Sequence, residues 1–339
     1  MRIYLGLLAC GMAALGFHAP QSRVILPHPA KMNDSLQSQG WPRARVNETC
    51  AACHVEIASE WQQSRHHLAY ENEAFQRSLA RESRELQPFC QSCHAPEANP
   101  LLPPSKLVAD MGIGCVTCHA PRGPILGANE NANAPHDVLK SVEFASDAAC
   151  ANCHEFLFPG ASGKRGLHMQ RTMTEHSENA QDQRCTDCHM PKTNGNRPHK
   201  DHRFPGGYDT SLWQKALDIR AERLSATEIR VSLEPRDVTH AVPTGDLFRR
   251  IAIEVIPDKP EAKPPAPVYL ARHFDRGSVM REVSDNRVLK ASRTLTIDVP
   301  VGELTIRVQY ERVANHRSPN ERDANVESRL LLKEIRLAQ

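Results

Sequence analysis

One pentapeptide pattern recurs five times: CAACH at 50–54, CQSCH at 90–94, CVTCH at 115–119, CANCH at 150–154 and CTDCH at 185–189. Of the chain's 11 cysteines, only Cys10 lies outside these motifs. Zinc ribbons use CxxC knuckles in couples and need no histidine beside each second cysteine. A thioredoxin-like dithiol needs one CxxC next to a βαβ pattern, and a disulfide framework shows varied spacings. C-x-x-C-H is the attachment motif of c-type haem, whose two vinyl groups take the thiols as thioethers while the adjacent imidazole binds the iron. The reading is five c-type haems, held by Cys50/Cys53, Cys90/Cys93, Cys115/Cys118, Cys150/Cys153 and Cys185/Cys188. The proximal iron ligands are then His54, His94, His119, His154 and His189.

Aromatic residues make up 5% of the 339 residues, and mean hydropathy is −0.51. Residues 45–205 are rich in Arg, Gln, Asn, Ser and Pro and poor in periodic apolar runs. Such a segment buries too little side-chain area to overcome chain entropy unaided. Covalent porphyrins would supply the missing apolar surface. The first cysteines fall at 50, 90, 115, 150 and 185, too unevenly for a solenoid.

The first 19 residues, MRIYLGLLACGMAALGFHA, read as a signal peptide: one basic residue, a short apolar run, then small residues. The alternative is a lipoprotein leader with Cys10 as the acylated residue. Either way the chain is expected to be exported, to the periplasm or as a membrane-anchored or extracellular lipoprotein. No later stretch is long and apolar enough to span a bilayer.

The pattern changes near residue 220. EIRVSLEP (228–235), RIAIEVIP (250–257), TLTIDVPV (294–301), ELTIRVQYERV (303–313) and RLLLKEIRL (329–337) alternate with period two, as strands do. DVPVGEL (298–304) reads as a hairpin connection, and the proline-rich PDKPEAKPPAPV (257–268) as an exposed loop. The expected fold is α+β: an irregular, mostly helical pentahaem domain over 45–210, a helical connector over 211–224, and a small antiparallel β-sandwich over 225–339.

The sixth ligand of each iron separates a wire from an enzyme. A haem with two protein ligands only passes electrons, whereas one with an open position transforms small molecules. Beyond the five proximal histidines and His18 of the leader, eleven of the 17 histidines remain. His136, in the loop just before CANCH, is a candidate from its setting. Met169, Met173 and Met190 could substitute for histidine at one iron.

WQQSRHHLA (61–69), MQRTMTEH…CTDCHMP (169–191), HRFPGGYD (202–209) and THAVPTGDLFRR (239–250) resemble segments of multihaem cytochromes related to hydroxylamine oxidoreductase and its tetrahaem electron acceptor. The likeness spans roughly residues 48–255. It implies distal roles for His66 and His202, with His240 as a further candidate on the strand-rich side. The alternative for His240 is a buried strand histidine bonded to backbone. His176 stands where the pattern has Trp, so it is either a ligand or a simple replacement. The fifth ligand is left among His168, His176 and His199, and His67 is expected to be the solvated neighbour of His66.

The 42 basic and 40 acidic residues are well mixed. There is no basic stripe and no aromatic platform, which excludes nucleic-acid binding. Arginines of the motif half (Arg65, Arg77, Arg81, Arg84, Arg122, Arg165, Arg171 and Arg184) suit haem propionates or solvent. Two functions remain open. One is an electron relay between redox-partner proteins, either donor and acceptor cytochromes or a membrane quinol-linked complex. The other is a multihaem oxidoreductase acting on a small nitrogen or sulfur compound at one five-coordinate haem. No CxxCK motif of the nitrite-reducing kind is present. Tyr70 and Tyr208, the tyrosines in haem-region sequence, read as packing residues rather than as a haem cross-link.

Overall fold

The computed structural model describes residues 43–339 apart from 100–101, 122–123, 130–135, 160–166, 181, 196, 276–280 and 315–323. The leader with Cys10, and also His28, His316, Arg122 and Arg165, lie outside the described residues. Among the described residues no helix is long and apolar enough to cross a membrane.

The motif half is a string of short helices: α1 (Arg43–Cys53), α2 (Val55–Gln62), α3 (Glu73–Leu79), α4 (Gln87–His94), α5 (Lys106–Met111) and α6 (Cys115–His119). The pair β1 (Leu126–Gly127) and β2 (Leu139–Lys140) follows, then α7 (Ala148–His154), β3 (Glu155–Phe158), β4 (Leu167–Arg171), α8 (Thr172–Asn179) and α9 (Cys185–His189). Every CxxC forms the end of a helix, with its histidine as the last helical residue or the next one. The buried apolar cluster of this half is small: Ala44, Ala95, Ala98, Val108 and Met111, flanked by Trp61 and Tyr70. Helices of five to eleven residues over so little core do not stand alone in water.

The remaining elements are α10 (Thr210–Ala216), β5 (Leu217–Ser225), β6 (Glu228–Pro235), β7 (Arg249–Pro257), β8 (Val268–Leu270), β9 (Arg272–Phe274), β10 (Glu282–Asp285), β11 (Arg293–Asp298), β12 (Leu304–Val313) and β13 (Val326–Leu337). A three-stranded sheet ordered β11-β6-β5 and a four-stranded sheet ordered β13-β12-β7-β8 are both antiparallel. Both contribute to one core: Ile229, Val231 and Leu233 from the first, Ile251, Ile253, Ile306 and Val308 from the second. In β6 the period-two alternation read from the sequence is the alternation of core and outward positions, whereas β7 and β12, central in their sheet, each bury four successive residues.

Two expectations are corrected. The helical connector over 211–224 is helical only to Ala216. From Leu217 the chain pairs with β6, burying Leu217 and Ile219. Cross-strand pairing overrides the helix propensity of Ala, Glu, Arg and Leu in LDIRAERLS. DVPVGEL is not a hairpin connection, because β11 pairs with β6 whereas β12 pairs with β7 and β13. The segment crosses between the sheets, anchored by Val299 N–H donating to Thr227 O at 2.8 Å. Gly302, at φ 134°, supplies the backbone angle that a side chain would resist. The proline-rich 257–268 does form the loop between β7 and β8.

An ion ladder crosses the four-stranded sheet. Glu311 on β12 is fully buried and accepts from Arg250 on β7 at 2.8 Å and from Arg329 on β13 at 2.7 Å. The Arg250 guanidinium lies 3.8 Å over the Tyr269 ring on β8. A second cluster joins the two halves. Arg171 at the end of β4 meets Glu175, Glu282 and Asp285, and Arg287 meets Glu175 and Asp285, both at 2.5–3.2 Å. Burial by itself raises the Glu175 and Asp285 pKa values, but Arg287 outweighs it and holds both carboxyls below their ordinary values.

Glu311→Gln is expected to cost about 3–5 kcal/mol in guanidinium unfolding, because it leaves the Arg250 guanidinium without its carboxylate. The junction has a definite pH dependence. Carboxyls depressed on folding add stability that is complete above an ordinary pKa of about 4 and is lost as pH falls through the folded value. Thermal midpoints measured from about pH 6 down to pH 3 should fall less steeply in Glu175→Gln than in the parent.

Candidate haem centres

Four of the five motif histidines face a second imidazole. Ring centroids are 6.2 Å apart for His54 and His136, 6.3 Å for His154 and His66, 6.3 Å for His119 and His202, and 6.1 Å for His189 and His240. Two axial imidazoles on one metal ion, each bonded at about 2 Å, place their ring centres ~6 Å apart. The pairs His119/His202 and His189/His240 are near parallel, at 24° and 15°. His54/His136 and His154/His66 are skewed, at 56° and 59°.

The second bonds of these rings suit ligation. Nδ1 lies against a backbone carbonyl in His94 (Ala69 O, 2.7 Å), His119 (Leu126 O, 3.0 Å), His189 (Pro205 O, 2.6 Å), His202 (Lys200 O, 2.6 Å) and His240 (Ala241 O, 3.0 Å). A donor bond there fixes the tautomer that leaves Nε2 free for a metal. Desolvation by the surrounding protein pushes His66 down to about 3 and His240 to about 4, so these rings present the neutral, metal-binding form.

The backbone beside three of the histidines that face motif imidazoles is held by side-chain acceptors. Glu60 takes the His202 N–H at 3.0 Å, Glu175 the Ala241 N–H at 3.2 Å, and Ser64 Oγ the His67 N–H at 3.1 Å. The residue three places before the first cysteine does the same between motifs. Asn47 accepts the Cys115 N–H at 2.5 Å, and Asp147 accepts the Cys185 N–H at 2.8 Å. Gly114 makes the first approach possible, since a Cβ there would sit 2.6 Å from Asn47 Oδ1. Thiols of different motifs also meet: Cys50 with Cys115, Cys93 with Cys153, and Cys150 with Cys185. None of the ten motif cysteines is in a disulfide.

His168, His176 and His199, the candidates for the fifth ligand, face no motif imidazole. His176 is buried, with Nδ1 2.6 Å from Thr239 Oγ1 and Nε2 3.2 Å from Asp147. His199 bonds to Arg197 O and Glu60 through its two nitrogens. His168 lies on β4, with Nδ1 3.7 Å from Glu155. Opposite His94 no described histidine stands, and the ring stacks on Phe75 at 3.7 Å and 9°. His67 is not the solvated neighbour expected. Helix α2 ends at Gln62, so the helical offset fails, and the ring packs 4.5 Å from Trp61 with Nδ1 buried. Tyr208 is a packing residue, against Tyr310 and bonded to Ser328.

Several of the arginines read as propionate partners are engaged within the protein, Arg77 with Glu73 and Glu327, Arg171 with its three carboxylates, and Arg184 with Ala145 O. The supporting residues Asn47, Glu60, Asp147, Glu175 and Thr239 went unread in the sequence, because their signal is spatial. The donor set fits haem. Buried Nδ1 of His67 and His168 and Nε of Arg249 make no hydrogen bond within the protein, as polar atoms beside propionates would.

Residues 49–120, with the first three motifs, match the family model described as cytochrome c554 and c-prime. The fold matches that of a penta-haem cytochrome c552 from Thermochromatium tepidum, with a TM-score of 0.67 at 16% identity, covering 86% of this chain and 98% of that one. No curated protein matches the chain in sequence. Motifs, matched segment and fold together support a multihaem c-type cytochrome, with electron transfer as its class of work.

Gly112 takes φ +60°, and a Cβ there would lie 2.4 Å from His67 O and 2.6 Å from His66 O. Both contacts are backbone, so the neighbours cannot swing aside. Gly112→Ala is expected to cost about 1–3 kcal/mol. Where Cys150 and Cys153 carry a haem with His66 as its second ligand, the substitution should also disturb the low-spin electron paramagnetic resonance (EPR) signal of that haem.

Proposed function

We propose that this chain is an exported pentahaem electron-transfer protein, with each CxxCH motif carrying one c-type haem and four of the haems bis-histidine. The observation that carries the reading is that four imidazole pairs at 6.1–6.3 Å each contain one motif histidine and one histidine from elsewhere in the chain. The sixth ligands are His136, His66, His202 and His240 for the irons bound by His54, His154, His119 and His189. A haem so ligated supplies one-electron exchange without substrate chemistry. The thiol contacts support an order in which the first motif adjoins the third, and the fourth adjoins both the second and the fifth.

In this reading residues 45–210 hold the haems and 225–339 form a separate domain that also supplies His240. The protein works in the periplasm, or anchored through Cys10, between a donor and an acceptor that are themselves redox proteins. The likeness to the hydroxylamine oxidoreductase group belongs to the haem architecture.

A second reading is favoured at one place. Among the described residues His94 has a stacked Phe75 and no facing imidazole. The haem on Cys90 and Cys93 is the candidate five-coordinate site of a small-molecule oxidoreductase.

The test is EPR of the oxidised holoprotein with carbon monoxide (CO) added after reduction. Haem content by pyridine haemochromogen should be five per chain. Two near-parallel and two skewed pairs should give two classes of low-spin signal, rhombic for the first and large-g for the second. Low-spin signals alone with no CO uptake would reject the oxidoreductase reading. One high-spin haem that binds CO would support it. Fewer than four low-spin haems would reject the four pairings.

A further inference from the structure

Helix α8 brings two adjacent side chains, Glu175 and His176, to opposite flanks of the loop that carries His240. On one flank the Ala241 N–H and the Thr244 hydroxyl donate to Glu175 Oε2 at 3.2 and 2.8 Å. Arg287 clamps the same flank, donating to Pro243 O at 2.8 Å and to Glu175 Oε1 at 2.5 Å. On the other flank Thr239 Oγ1 lies 2.6 Å from His176 Nδ1. His176 Nε2 in turn meets Asp147 Oδ2 at 3.2 Å, and Asp147 Oδ1 accepts the Cys185 N–H at 2.8 Å. A hydrogen-bonded path thus starts at α9, which carries His189, and ends at the residue next to His240.

Asp147, His176 and Cys185 also come close enough together to hold a metal ion. A separate metal site is not the better account, because Cys185 belongs to a haem motif and the Asp147 and His176 atoms serve the path just described.

We propose that Glu175 and His176 are positioning residues that set how tightly His240 holds the iron of the haem on Cys185 and Cys188. This rests on the reading of His240 as a sixth ligand. His240 lies in the segment between β6 and β7, whereas His189 lies in the motif half, so the pair is only as firm as the joint between the halves. Glu175 and His176 are the part of that joint that bonds the residues flanking His240. They are 5% and 6% exposed, so water does not compete for their bonds. The His202 loop is anchored within the motif half by Glu60, which makes the His189/His240 pair the one that depends on the other half.

The test is CO titration of the reduced holoprotein, with EPR of the oxidised form, for Thr239→Val, Glu175→Gln and His240→Ala. His240→Ala is expected to convert one haem from low to high spin and to open it to CO, beyond CO taken up by the haem on Cys90 and Cys93. Thr239→Val and Glu175→Gln should keep all five haems but lower the CO concentration that half-saturates the same haem by about 10- to 100-fold, the usual effect of losing an outer-shell partner. Thr239→Val is nearly isosteric and carries the test should Glu175→Gln fail to fold. If His240→Ala opens the haem while folded Thr239→Val and Glu175→Gln resist CO like the parent, the positioning role is overturned and only the ligand assignment stands. If His240→Ala changes no haem, the ligand assignment itself is wrong.

Discussion

On this reading the fold of the motif half depends on one kind of bond, an iron linking two imidazoles that are far apart in the chain. His54 is joined to His136, His66 to His154, His119 to His202 and His189 to His240, and no pair is local. Each bond closes a long loop, whose entropic cost grows only slowly with length. Iron ligation can therefore replace a hydrophobic core in holding distant segments together. The small apolar cluster around Ala95 and Met111 could not do so, nor could helices as short as CVTCH and CTDCH. The strand-rich region needs no such help, because Ile229, Val231, Ile251 and Ile306 make an ordinary core between two sheets.

The paired imidazole rings are held by simple means used repeatedly. A backbone carbonyl fixes the tautomer, and a side-chain acceptor fixes the backbone of the loop. Glu60 and Glu175 do this for His202 and His240, from helices remote in sequence. Asn47 and Asp147 join motifs pairwise from equivalent positions, three residues before a first cysteine. Gly112 and Gly114 are glycine because the chain before CVTCH runs against the His66 turn on one side and Asn47 on the other.

Much of this was legible in the residues. The repeated CxxCH spacing is local chemistry, and so is the period-two burial of EIRVSLEP, which matches β6 closely; RIAIEVIP is a strand as read, but Arg250 to Ile253 are buried on both faces of β7. His66, His136, His202 and His240 were all singled out as candidates, and each faces a motif histidine. Which motif each one faces was not legible, since that depends on how the loops close. His176 shows the limit. It stands where the pattern has Trp and its residue type suits a ligand, so both readings are open in the sequence, and the ring is spent on Thr239 and Asp147. LDIRAERLS reads as a helix by propensity and becomes a strand because β6 offers it a partner. DVPVGEL reads as a turn, and only the pairing of its flanking strands with different sheets reveals a crossover.

The strand-rich region invites the view that it serves docking or rigidity alone. The placement of His240 argues otherwise. Its loop leaves the strands and reaches the motif half, where it is gripped by Glu175 and His176 and stacked within 6.1 Å of His189. A region built only to stiffen the molecule would not need to bring an imidazole to a haem motif. The charge cluster of Arg171, Glu175, Asp285 and Arg287 lies at the same junction. The contacts at this junction therefore also hold a candidate iron ligand, so the joint between the halves and the ligation proposed for the fifth motif share the same residues.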